Sequence, residues 1–144
     1  MHVAAVIKRK GSNVVSITPD RTIADATNLL TENRIGAVLV MDSNKTIHGI
    51  ISERDIIRAL SKYGADALSH TVGSLMTREV QQCSPKDTIA EVMTTMTTRR
   101  FRHLPVVEDG KLLGMISIGD VVKQRLDDTE LEVETLRGYV TGQG

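Results

Sequence analysis

Aromatic side chains are nearly missing from this chain of 144 residues, which holds one Phe, two Tyr and no Trp. A single-stranded nucleic-acid platform that stacks successive bases on aromatic rings is therefore disfavoured. The core has to be built from aliphatic side chains and six Met. Cys83 is the one cysteine, which excludes an intramolecular disulfide and a cysteine-rich zinc site. His2, His48 and His70 are scattered without metal-ligand spacing. Surplus charge is lacking too: 18 Lys and Arg balance 18 Asp and Glu. A dedicated nucleic-acid binder would carry a basic excess. No apolar run approaches the roughly 18–20 residues needed to cross a bilayer. The short apolar stretch Val3–Ile7 precedes Lys8-Arg9-Lys10, the reverse of a secretion signal's order. The expectation is a soluble cytoplasmic protein with no membrane or metal partner, and Lys8-Arg9-Lys10 reads as a solvated end.

What the chain does have is a repeat. Laid over itself at an offset of 66, Pro19, Thr22, Ile23, Ala24, Thr31, Arg34 and Val40 match Pro85, Thr88, Ile89, Ala90, Thr97, Arg100 and Val106. Past the turn at Asp42–Lys45 the offset becomes 65, and Gly49, Ile51, Ser52 and Asp55 match Gly114, Ile116, Ser117 and Asp120. Self-similarity of this kind marks a unit used twice.

Each copy carries the same local signals in the same order. Thr22-Ile-Ala-Asp25 and Thr88-Ile-Ala-Glu91 have the spacing of capping boxes. Behind them, Ile23, Ala26 and Leu30, and Ile89, Val92, Met93 and Met96, recur at helical intervals. Apolar runs Ala37–Met41 and Leu104–Val107 follow, then polar turns, of which Asp109-Gly110 is a strong hairpin signal. Second strands are expected at Ile47–Ile51 and Leu112–Ser117, and second helices open at Ser52 and Ser117. Short extended pieces precede each unit at Val14–Ile17 and Val80–Cys83, and a short helix is expected near Val72–Met76. Two strands do not make a stable sheet alone, whereas two such units together can. The fold class is α/β (α+β), two pseudosymmetric helix–strand–strand–helix repeats in one compact module. The expected division is 1–68 for repeat 1 with its N-terminal segment, 69–126 for repeat 2, and 127–144 for a C-terminal helical tail. Leu126, Leu131, Val133, Leu136, Tyr139 and Val140 form a partial stripe along that tail, to pack on its own domain or on a partner subunit.

Each copy resembles a CBS domain, and the pair resembles a Bateman module of the stand-alone bacterial type. The residues that carry the likeness are Phe101-Arg102-His103-Leu104-Pro105-Val106-Val107 and two Gly-x-Ile-Ser-x-x-Asp segments, Gly49-Ile-Ile-Ser-Glu-Arg-Asp55 and Gly114-Met-Ile-Ser-Ile-Gly-Asp120. The resemblance covers roughly residues 1–126. It implies a sensor of adenosine nucleotides, bound in the cleft between the repeats, with AMP foremost and ADP, ATP or NAD(H) as further candidates. Some members of the family bind S-adenosylmethionine instead. It also implies a homodimer and a regulated protein partner.

Ser52-Glu53-Arg54-Asp55 ends a strand and starts a helix. Free amides and a positive dipole end favour a phosphate there, and a carboxylate one turn in can accept both ribose hydroxyls. The same residues make an equally good N-cap, so both readings stand. By resemblance, Arg102 and His103 meet the phosphate of a ligand held by Ser52, Arg54 and Asp55, with Gln82, Cys83, Ser84, Ile50 and Ile51 along the base. The matching set is Ser117, Asp120, Ile17, Thr18, Ile35, Met115 and Ile116, facing Gly36 and Ala37, where repeat 1 lacks the cation. The first set is therefore expected to bind a phosphorylated ligand more tightly. Cys83 also reads as a small buried side chain. No nucleophile–base pair or acid–base dyad is visible, so the reading is a non-enzymatic regulatory module. The alternative is a ligand-free protein-interaction module whose Ser-x-x-Asp segments only cap helices. Nucleic-acid binding is kept only by the local run Arg99–His103.

Overall fold

A computed structural model describes residues 1–140, and in it the chain divides into two compact units. One runs from Asn13 to Val80; the other joins Met1–Ser12 to the chain from Gln81 onward.

In the Asn13–Val80 unit, β1 (Ser16–Ile17) lies parallel to β2 (Ala37–Met41), and β2 pairs antiparallel with β3 (Ile47–Ser52). α2 (Ile23–Asn33) starts as the sequence predicts. Thr22 Oγ1 accepts from Asp25 N, and the Asp25 carboxylate accepts from Thr22 N. Ile23, Ala26 and Leu30 sink into a core shared with Val38, Val40, Ile51 and Ile56. α3 (Glu53–Tyr63) follows β3 without a break, a 3₁₀ turn spans Gly64–Ser69, and α4 (Val72–Leu75) buries Val72 in the same core. The segment after α4 closes onto β3, with Ile50 and Thr77 exchanging both backbone hydrogen bonds at 2.9 Å.

In the second unit, α5 (Ile89–Arg99) leads to the hairpin of β4 (His103–Glu108) and β5 (Lys111–Ser117). Its turn has φ of 52° at Asp109 and 74° at Gly110, the paired left-handed conformations that an Asp-Gly turn supplies. Cys83 bridges in parallel to Val106, the counterpart of β1. Thr88 caps α5 through Glu91 N, but only half of the expected box forms. The neighbouring backbone is occupied instead by the N-terminus: Ile89 N donates to Met1 O, and Val3 N to Asp87 O.

α1 (Val3–Lys10) therefore belongs with the second repeat, although the sequence reading groups it with the first. Val3 and Val6 are buried with Ile89, Leu104 and Ile116, and Ile7 lies over Gly114. The reason is apolar area: a two-stranded hairpin leaves a face that α1 covers. Residues 69–80 likewise stay with the first unit through Val72 and Thr77. The second helix of repeat 2 and the C-terminal tail are one element, α6 (Ile118–Val140). Residues 141–144 of that tail lie outside the described residues. Among the described residues no helix is long and apolar enough to cross a membrane.

Candidate functional site

The two Ser-x-x-Asp segments occupy equivalent places, at the junction of β3 with α3 and of β5 with α6. Each forms a complete reciprocal cap. Asp55 Oδ2 accepts from Ser52 N at 2.9 Å and from Ser52 Oγ at 3.0 Å, while Asp55 N donates back to Ser52 Oγ. Asp120 Oδ2 accepts from Ser117 N at 2.8 Å and Ser117 Oγ at 3.0 Å, and Asp120 N donates back to Ser117 Oγ. Capping is thus an observed role of both segments, and it fixes each carboxylate at a helix N-terminus.

Beyond the cap the two sites part. Asp55 is 8% exposed, its Oδ1 accepts from Thr77 Oγ1 at 3.0 Å, and Arg58 approaches to 3.9 Å. Among the described residues Asp120 has no hydroxyl partner besides Ser117. Its Oδ2 takes Lys10 Nζ, and Lys10 Nζ also donates to Met115 O at 2.8 Å. Burial would push the Asp120 carboxyl up, but the Lys10 ammonium and the Ser117 donors outweigh it and hold the pKa below its ordinary value. Asp120 Oδ1 accepts no hydrogen bond from the described residues.

Lys10 is therefore not a solvated end, which corrects the sequence reading. Arg9 beside it reaches Asp127 at 3.5 Å. The last turn of α1 is placed over β5 and the start of α6 by Val3, Val6 and Ile7, and this brings the cations to those carboxylates. Thr77 is a second contact that sequence reasoning misses. No local pattern signals either one, because Lys10 and Asp120 stand 110 residues apart and Thr77 and Asp55 stand 22 apart.

Within its own unit each junction has a distinct neighbour. Gly36 O accepts from Glu53 N, and Ala37 pairs with Ser52, so Gly36 and Ala37 flank the first junction. Arg102 O accepts from Ile118 N, and His103 pairs with Ser117, so Arg102 and His103 flank the second. The Ser117–Asp120 junction thus has Arg102, His103 and Lys10 within its own unit, whereas the Ser52–Asp55 junction has the polar but uncharged Thr77 and the more distant Arg58.

The base-side candidates fall on structural positions. Ile17, Ile51 and Ile116 are buried in the cores, and Thr18 follows directly on β1. Cys83 is buried, and its backbone is engaged: Cys83 N donates to Pro105 O and Val107 N donates to Cys83 O. Burial, aided by the nearby Asp87 charge, pushes its thiol up to about 12, so it stays protonated. Gln82 precedes it at the unit's edge, and Arg54 is exposed on the first turn of α3. Among the described residues no group of three His, Cys, Asp or Glu side chains could hold a metal ion.

Comparison with known proteins places this geometry. The family model described as "CBS domain" matches residues 3–62 and again 72–127. A mitochondrial CBS domain-containing protein of Arabidopsis thaliana, CBSX3, is 33% identical over 97% of this chain and 72% of its own length. The crystal structure of the CBS-domain containing protein ATU1752 from Agrobacterium tumefaciens superposes with a TM-score of 0.85 at 43% identity, covering 87% of this chain and 99% of that one. CBSX2, solved in complex with AMP, gives a TM-score of 0.73 at 28% identity over 89% of this chain and 98% of its own. The duplicated helix–strand–strand–helix unit, the paired Ser-x-x-Asp junctions and these matches together show that the chain belongs to the CBS domain family and carries two copies of the domain.

Proposed function

We propose that this protein is a non-enzymatic regulatory module that binds an adenosine nucleotide, with AMP as the first candidate and ADP, ATP, NAD(H) and S-adenosylmethionine as the others. The observation that carries the reading is the matched pair of strand-to-helix junctions, each ending a strand on a Ser whose Asp sits one turn into a helix. They lie in a fold shared with CBSX2, a relative solved with AMP. In this reading the helix N-terminus and the serine take a phosphate, the carboxylate takes ribose hydroxyls, and Arg102 and His103 supply cationic contacts. Arg54, Gln82, Cys83, Ile51, Ile17, Thr18, Gly36 and Ala37 complete the proposed contacts. A ligand then regulates by favouring one conformation of the module over another, to the extent of its differential affinity. The module acts in the cytoplasm, as a homodimer with a regulated partner.

Ligand-free protein, verified by mass spectrometry, is titrated with each candidate by calorimetry and by thermal shift. A ligand at about 100 times its dissociation constant adds roughly 2.7 kcal/mol and raises the midpoint by roughly 5–10 °C. Arg102→Ala, Asp55→Asn and Asp120→Asn are each expected to weaken that ligand. Double-mutant cycles of Arg102→Ala with either Asp variant read which carboxylate shares a ligand with Arg102. Failure of every candidate to bind overturns the reading in favour of the alternative, in which the serines and aspartates cap helices in a protein-interaction module.

A further inference from the structure

Asp120 Oδ2 accepts from Ser117 N, Ser117 Oγ and Lys10 Nζ. The first two belong to the cap; the third comes from α1, 110 residues away. A carboxylate oxygen offers about two lone-pair sites, so three donors fill it. At the matched Asp55 the outside group is Thr77 Oγ1, and it sits on the other oxygen, Oδ1. The two occupants differ in kind. A hydroxyl is neutral and can turn from donor to acceptor, whereas an ammonium only donates and needs an anion wherever it goes.

The backbone of α1 is held by more than this pair. Val3 and Val6 are buried, Ile7 lies over Gly114, and Arg9 reaches Asp127 at 3.5 Å. Lys10 Nζ also donates to Met115 O at 2.8 Å. The helix can therefore stay in place while the Lys10 side chain swings. Two of its three N–H groups are engaged in these contacts, which leaves one for a further acceptor. The Lys10 side chain is 38% exposed and that of Asp120 24%, so a ligand can reach both. The first turn of α6 is bare at Gly119, where α3 carries Arg54. A Cβ on Gly119 would meet only Ser117 Oγ, at 3.6 Å.

These contacts sort ligands. A ribose that engages Asp120 through both of its hydroxyls takes a share of Oδ2, and Lys10 has to give that share up. With an uncharged nucleoside the ammonium loses its anion and gains none. With a nucleotide it passes from carboxylate to phosphate, and a charge-assisted hydrogen bond is kept.

Resting on the nucleotide reading above, we propose that Lys10 makes the Asp120 junction select phosphorylated over unphosphorylated nucleosides, by exchanging the Asp120 carboxylate for the ligand's phosphate.

Calorimetric titrations with AMP and with adenosine test it, on the full chain carrying Asp55→Asn so that the Asp120 junction dominates. AMP is expected to bind about tenfold more tightly than adenosine, the scale of one hydrogen bond between charged groups. Adding Lys10→Met is expected to shrink that ratio about fivefold, with adenosine bound no more weakly than before, since its competitor is gone. Lys10→Arg, which keeps the charge, is expected to retain the preference. Thermal melts check that each variant folds, and the same Lys10→Met comparison with Asp55 intact decides the matter if Asp55→Asn does not. A ratio unmoved by Lys10→Met overturns the proposal, as does an equal loss of both ligands, the mark of a purely structural role. Binding to the unaltered chain that vanishes in a folded Asp55→Asn chain overturns it too, because the Asp120 junction then holds no ligand. Binding of neither ligand to the unaltered chain is a separate failure, which removes the nucleotide reading and the Lys10 proposal together.

Discussion

Asp55 and Asp120 hold the same place in two copies of one motif, make the same three contacts to their serine, and end in different electrostatic surroundings. Asp55 is shut in by a hydroxyl from the segment that closes its unit. Asp120 is more open, with 24% of its side chain exposed, and faces an ammonium delivered by the N-terminal helix. Duplication preserved what the backbone needs, a capped helix after a strand. What differs comes from the side chains of the two segments that dock on the repeats, Thr71–Val80 and the N-terminal segment with α1. Their backbone contacts match: Val72 N donates to Arg21 O as Val3 N does to Asp87 O, and Gly73 N to Pro19 O as Ala4 N does to Pro85 O. Equivalent positions therefore need not bind equally, and a cation absent from one copy's own sequence can be supplied from elsewhere in its unit.

The comparison can be broken most forcefully at the cores. Ile51 and Ile116 are matched and fully buried. Ile51→Ala and Ile116→Ala are each expected to lose about 2–5 kcal/mol in urea denaturation, since both leave a cavity in an aliphatic core. A loss confined to one of them would mean that only one repeat carries the measured stability.

Gly49 and Gly114 sharpen it next. A Cβ on Gly49 would lie 2.5 Å from Thr77 O and 2.8 Å from Met76 Sδ, whereas on Gly114 it would meet the end of the Ile7 side chain at 2.8 Å. A carbonyl bonded across to Ile50 cannot give way as a side-chain tip can. Gly49→Ala is expected to cost about 1–3 kcal/mol, the range for overpacking, and Gly114→Ala distinctly less, by the same denaturation series.

At the carboxylates, Asp55→Ala is expected to destabilise by about 1–2 kcal/mol, the upper range for a lost cap, because it also strips Thr77 Oγ1 of its acceptor. Asp120→Ala is expected to cost less. Asp120 also gives a pH signature. Its folded carboxyl binds a proton less readily than the unfolded one, so its contribution to stability is complete above the ordinary carboxylate range. That contribution is lost as pH falls through the ordinary value of 3.8 toward the lower folded one. Asp120→Asn, and to a lesser degree Lys10→Met, should flatten the acid limb of a plot of urea midpoint against pH.

The smallest effect is expected at Cys83, matched to Ile17 in the first repeat. With its thiol pushed up to about 12 and its side chain in the core, native protein should leave Ellman's reagent unreacted at pH 8 and react on unfolding. Rapid labelling of the native state would mean that the second unit opens locally around Cys83; an Ile17→Cys, Cys83→Ala variant gives the matching measurement on the first.

Much of this fold is legible because its signals are local. Strand β2, the α2 capping box, the Asp109-Gly110 turn and both Ser-x-x-Asp junctions are set by residues within a few positions of one another. The ends of α2 and α5 are harder to read. Both stop on an arginine in the left-handed region, Arg34 at φ 54° and Arg100 at φ 60°, where glycine or asparagine would have announced the stop. Leu126 and the acidic stretch after it read as the end of one element and the start of another, yet no breaker lies between them, and α6 runs through.

By itself the sequence determined the duplication, the order of helices and strands in each copy, the aliphatic cores and the serine and aspartate that open α3 and α6. These rest on periodicity, caps and turns, which act over one or two turns of chain. Only the tertiary structure decided which unit α1 joins, that Thr77 closes on Asp55 and that Lys10 reaches Asp120. These depend on covering apolar faces that are distant in sequence, and the polar contacts follow from where that burial carries the backbone.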